Sequence, residues 1–170
     1  MRRNCGVLAV AAVVASLTGC GGVSGTAEPV AMELFDPCTV VPDEAIRAAG
    51  ADPATKDDGG PLNSGQWKSC AWAGDSFFLD VQATTRTLDE FRSNPTYTEL
   101  REVDVAGRTA AVSFRLAENA DPSRSCVVAF DWKRGTIAIL IDTKLTHAAE
   151  TDPCVAALGS SNVLSSYLPT

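Results

Sequence analysis

Apolar and polar residues alternate along much of the chain from Phe77 onward. Phe77, Leu79, Val81 and Ala83 fall on one side of an extended backbone, and Phe78, Asp80, Gln82 and Thr84 on the other. Ala110, Val112, Phe114 and Leu116 repeat the pattern after Gly107, and Cys126, Val128, Phe130 and Trp132 share one face. Successive side chains of a strand point to opposite faces, so this period of two predicts half-buried strands. Arg134-Gly135 separates CVVAFDWK from TIAILID, which predicts a hairpin. Trp67 to Trp72 predicts a strand ahead of Phe77, and Glu102 and Asp104 alternate with Val103 and Val105 along another.

Helical signals flank these strands. Asp36-Pro37-Cys38 and Asp152-Pro153-Cys154 each place an N-capping carboxylate before a proline suited to a first helical position. PDEAIRAAG follows the first, with Asp43 and Glu44 early and Gly50 as a stop. Behind the second, Ala157, Ser161, Leu164 and Leu168 form one stripe, which predicts a helix from about 153 to 167. The segment LDEFRSNPTYTEL offers one helical turn that Pro95 interrupts. The predicted fold is α+β: an antiparallel sheet of five or six strands with N-terminal and C-terminal helices packed on one face. ADPATKDDGGPLNSG, between the first helix and the first strand, is read as a loop.

The first residues follow another logic. Met1-Arg2-Arg3 is cationic, and Val7 to Leu17 is an unbroken run of apolar and small residues. That is the layout of a secretory signal, about half the length a membrane-spanning helix needs. Leu17-Thr18-Gly19 leads directly into Cys20, which resembles the bacterial lipobox; there the cysteine thiol takes diacylglycerol and becomes the first mature residue. Residues 1–19 are thus expected to be a signal peptide, and 20–34 a lipidated cysteine with a Gly-rich tether reaching about 20 Å as a coil. Residues 35–170 are expected to form one extracytoplasmic domain at the outer face of the cytoplasmic membrane.

Charge narrows the partners. Without residues 1–19, twelve basic residues face 21 acidic ones. Such a surface repels nucleic acid and anionic headgroups. Of six cysteines, Cys5 leaves with the signal and Cys20 carries lipid. Cys38, Cys70, Cys126 and Cys154 remain, and in an exported domain they predict two disulfides. None has a neighbour at C-x2-4-C spacing, which argues against zinc and against thioredoxin-like redox chemistry. The CVVAFDWK–TIAILID hairpin returns the chain beside Cys126 near Asp142, about ten residues before Cys154. The expected bonds are therefore Cys126–Cys154 and, by complement, Cys38–Cys70.

FDPC near the mature start, S-C-A-W at Ser69 to Trp72, S-C-V-V at Ser125 to Val128, DPC at Asp152 to Cys154 and a closing YLP resemble the actinobacterial lipoprotein family catalogued as domain of unknown function 3558. The resemblance implies an exported, lipid-anchored protein of the cell envelope. It brings no activity and no catalytic residue.

Candidate chemistry is sparse. His147 is the only histidine, and no G-x-S-x-G elbow accompanies it, so a solvated loop position is expected in place of a catalytic triad. Glu102 and Asp104 could form a glycosidase-like carboxylate pair, but both flank apolar valines as an exposed strand face would. Asp57-Asp58-Gly59-Gly60 lacks the alternating acids of a calcium loop and reads as a turn. Trp67, Trp72 and Trp132 could make an aromatic platform for sugars or lipids, although aromatics on one sheet face more often make core. No catalytic residue, cofactor or metal is expected. The favoured reading is a non-catalytic binding or accessory module holding a lipid, glycan or protein partner in the cell envelope; the alternative is a hydrolase acting on envelope polymers.

Overall fold

The period-two segments pair into a single antiparallel sheet. The computed structural model describes residues 33–117, 121, 124–147 and 152–170. The signal segment, Cys20 and the tether to residue 32 lie outside the described residues. Seven strands occur among them, in place of the five or six expected: β1 (Ala51–Asp57), β2 (Trp67–Gly74), β3 (Phe77–Thr84), β4 (Tyr97–Glu102), β5 (Ala111–Leu116), β6 (Ser125–Trp132) and β7 (Gly135–Thr143). Their order is β1-β2-β3-β7-β6-β5-β4. The two misjudged strands are the two edges. β1 lies within the segment read as loop, and β4 begins inside the segment read as an interrupted helical turn. Glu102 is the last residue of β4, so Asp104 lies beyond the strand on which the sequence placed it.

The N-terminal helix is two short ones, α1 (Pro37–Val40) and α2 (Asp43–Ala48), parted at Val41-Pro42. Pro42 cannot donate the amide that a continuous helix would need. α4 (Pro153–Leu164) runs as expected into a 3-10 turn at Ser165–Tyr167, and Ala157, Ser161, Leu164 and Leu168 are all buried. Both predicted caps form: Asp36 accepts from the Cys38 amide at 3.0 Å and Asp152 from the Cys154 amide at 2.8 Å.

Strand register separates the two faces. Opposed residues of an antiparallel pair share a face, and Cys70↔Val81↔Ile139↔Val128 and Trp72↔Leu79↔Ile141↔Cys126 run across the middle of the sheet. This row faces α2 and α4, whose Ala45, Ile46, Ala157 and Leu164 close the larger core. The opposite row carries Val112, Phe114, Val127 and Ala129, which are covered by Leu88 and Phe91 of α3 (Leu88–Arg92). The terminal helices thus lie on one face as expected, while α3 packs on the other.

Disulfides Cys38–Cys70 and Cys126–Cys154 form, with Cα–Cα distances of 5.1 and 4.9 Å. Each ties a helix start to a buried strand position. Arg108 holds the opposite end of the last helical segment. Its guanidinium donates to the carbonyls of Ser165 (2.6 Å), Leu168 (3.0 Å) and Pro169 (2.6 Å) and sits 4.4 Å from the Phe130 ring centroid. These carbonyls have no helical partner, so the arginine does the work of a C-cap. Loss of solvent lowers its pKa, against the attraction of Asp131.

The β6–β7 turn comprises Lys133 and Arg134, with Gly135 opening β7. Gly135 has φ +142°, and a Cβ there would lie 2.1 Å from the Thr84 carbonyl. Arg134 donates to the Glu33 carbonyl and Leu34 is buried, so ordered packing begins before Phe35.

Candidate functional site

α3 covers the β4–β6 part of the second face, and over β2 and β3 that face carries polar groups. Ser69 opposes Gln82, and Ala71 opposes Asp80, placing Ser69, Asp80 and Gln82 together. The Ser69 hydroxyl donates to Asp80 Oδ1 at 2.7 Å, and the Gln82 amide donates to Asp80 Oδ2 at 2.7 Å. Burial raises the Asp80 pKa, the two hydrogen bonds partly offset this, and the like charge of Asp57 adds to it.

The segment between β1 and β2 builds a wall beside this trio. Beyond the Asp57↔Ala71 pair β1 has ended, and Asn63 Oδ1 accepts from the Ser69 amide at 2.7 Å. A Cβ on Gly59, where φ is +72°, would lie 3.0 Å from both Cβ and the carbonyl of Ser69. Only glycine lets the loop approach so closely. Asp57 and Asp58 accept from the amides of Gly59 (2.9 Å) and Gly60 (3.1 Å), so the acidic run is a pair of Asx turns. Ser64 and Trp67 exchange backbone hydrogen bonds of 2.9 and 3.3 Å and fix the entry to β2.

Between loop and sheet lies a cavity of about 350 Å3 lined by Pro61, Ser64, Trp67, Ser69 and Gln82. Trp67 also lines a second cavity of about 280 Å3 with Arg86, Glu90, Phe91, Asn94 and Tyr97. The indole therefore stands between two adjoining hollows. An aromatic chain supports it from below: the Trp67 and Phe91 centroids are 6.3 Å apart, Phe91 and Phe114 5.9 Å, and Tyr97 stacks on Phe114 at 4.2 Å. The hollows combine a few polar groups with an aromatic surface, a composition suited to small-molecule recognition.

The residues singled out from sequence are dispersed. Trp72 is buried in the helix-covered core and Trp132 packs against that core, whereas Trp67 lies on the other face. The three do not form a platform. His147 sits in a 3-10 turn after β7, its Nδ1 2.9 Å from the Thr146 hydroxyl. Glu102 is tied to Arg92 through two contacts of 3.2 Å. Among the described residues no three His, Cys, Asp or Glu side chains gather as a metal site would require. Ser69, Asp80 and Gln82 were not proposed from sequence. The available signal was the repeated polar position opposite the apolar side of β3.

The family model described as protein of unknown function (DUF3558) matches residues 15–162. Neither a curated protein nor a solved structure matches the chain. Because the matched span takes in most of the sequence, the protein belongs to the DUF3558 family of proteins of unknown function.

Proposed function

We propose that the protein is a membrane-anchored lipoprotein of the actinobacterial cell envelope, a non-catalytic accessory module whose ligand site is the pair of hollows flanking Trp67. In this reading the chain is exported, cut before Cys20 and held by diacylglycerol on that cysteine. The support is the cationic start, the short apolar run and LTGC; the family match opens at residue 15, upstream of Cys20. The observation that carries the binding role is the Ser69–Asp80–Gln82 trio beside Trp67, a polar cluster on the part of the sheet that α3 leaves open.

Native mass spectrometry of the full chain extracted from its own membrane tests both parts. The expected result is a lipid mass on Cys20 and a retained ligand that Trp67→Ala releases. Cys20→Ala should leave an uncleaved precursor or send the protein to the medium. Unchanged detergent-phase partitioning of Cys20→Ala would end the lipoprotein reading. Turnover of an envelope polymer that required His147, Glu102 or Asp104 would replace the binding module with a hydrolase.

A further inference from the structure

The hydrogen-bonding capacity left over at the Trp67 hollows identifies what they take. A carboxylate only accepts, so the Gln82 amide must turn its NH2 group to Asp80, and its carbonyl Oε1 points away from the carboxylate. The single Ser69 hydroxyl proton is likewise spent on Asp80. What these two residues can offer the 350 Å3 hollow is the Ser69 lone pairs, Gln82 Oε1 and the second amide proton of Gln82. Ser64 adds a hydroxyl and Trp67 an indole N–H, yet acceptor sites still outnumber donors, so a ligand that brings donors suits the hollow.

The other side of the indole has the opposite balance. Asn94 Oδ1 is occupied by the Thr96 amide (3.0 Å) and hydroxyl (2.8 Å), which leaves the Asn94 NH2 as a donor. Glu90 Oε2 is engaged by Thr87 in the capping box, and Arg86 lies 3.7 Å from Glu90 Oε1. The 280 Å3 hollow thus adds the donors of Asn94 and Arg86 and the Tyr97 hydroxyl.

We propose that the two hollows bind adjacent rings of a neutral oligosaccharide, one ring face resting against Trp67, with sugar hydroxyls donating to Ser69 Oγ and Gln82 Oε1. This rests on the binding-module reading of the same site. Sugar hydroxyls both donate and accept, which suits an acceptor-rich hollow joined to a donor-rich one. The C–H face of a pyranose suits the indole between them. An acyl chain would bring no donor to the Ser69 lone pairs or to Gln82 Oε1. A phosphate or uronate in the first hollow would bring acceptors to acceptors, close to the charges of Asp80 and Asp57.

The test is calorimetric titration of the detergent-solubilised full chain with tetrasaccharides of glucose, mannose, galactose and N-acetylglucosamine, and with a phosphorylated counterpart. Saturable binding of at least one neutral tetrasaccharide is expected, weakened at least tenfold by Trp67→Ala and about tenfold by Gln82→Leu. Trp132→Phe should leave it unchanged, and retained thermal unfolding of each variant verifies folding. Failure of every neutral tetrasaccharide to bind the folded protein, equal binding by the Trp67 and Gln82 variants, or preference for the phosphorylated sugar would overturn the assignment. If a lipid or a peptide is instead recovered at Trp67 by native mass spectrometry, the saccharide falls and the binding module stands. If nothing recovered depends on Trp67, both fall.

Discussion

The two faces of the sheet are built from the same seven strands and solve different problems. The face under α2 and α4 is apolar at its centre: Val81, Val128, Ile139 and Leu79 meet Ile46, Ala157 and Leu164, and both disulfides end there. The other face is covered over β5 and β6 by α3, while over β2 and β3 it carries a largely buried carboxylate, a buried hydroxyl, an amide and part of an indole. One face is committed to stability and the other has kept polar groups that a core would exclude. A sheet of this kind can lose or exchange groups around Trp67 without disturbing the packing behind it.

Paired tryptophan truncations expose that contrast most strongly. Trp72→Ala empties a fully buried site and should cost roughly 3–5 kcal/mol, whereas Trp67→Ala, at a half-buried position, should cost about 1 kcal/mol. Chemical denaturation measures both, and equal losses would mean that the two faces are equally structural. Next in size is Gly59→Ala, which forces a left-handed backbone on alanine and presses a methyl group on Ser69; about 1–2 kcal/mol is expected. Gly65, in the same loop, faces open space, so Gly65→Ala is the matched control and should be nearly silent.

The smallest effect is read through pH. The folded Asp80 pKa lies above its ordinary value, so the folded protein holds this proton more tightly than the unfolded chain does. Its contribution is fully present below the unfolded pKa and is lost as pH rises through the folded one. Asp80→Asn removes that decline. The melting temperature of the variant should match the wild type in acid and exceed it modestly at neutral pH. A variant that is instead less stable at neutral pH would show that the carboxylate earns more from Ser69 and Gln82 than burial costs it.

The strands legible in sequence are the five interior ones, β2, β3, β5, β6 and β7, which carry apolar residues at every second position; in β6 and β7 the other row is largely buried as well. The misjudged strands are the edges. In β1 only Ala51 and Pro53 are buried, and a proline there signals a loop although an edge strand tolerates it. β4 is exposed almost throughout, and its ladder is broken between Thr98 and Arg101, with Glu99 at φ +53°. An element that buries little leaves little periodicity to read. The site was hidden for a related reason. Asp80 and Gln82 stood in the polar half of an alternating strand, where solvent is the ordinary reading, and Ser69 joins them only through a register that single-strand patterns do not contain.

The Cys38–Cys70 bond also sets how the domain bears mechanical load. A pull on the chain upstream of Glu33 can strip Leu34, Phe35 and the first residues of α1, after which it meets a covalent bond. The bridged residues are 32 apart, a segment that would extend to roughly 110 Å if released. The bond withholds that length and passes the force directly to β2, which is paired from Trp67 to Ala73 with β3. Tension applied from the N-terminal side would therefore reach β2 through the disulfide, and the strands around Trp67 would keep their register under it.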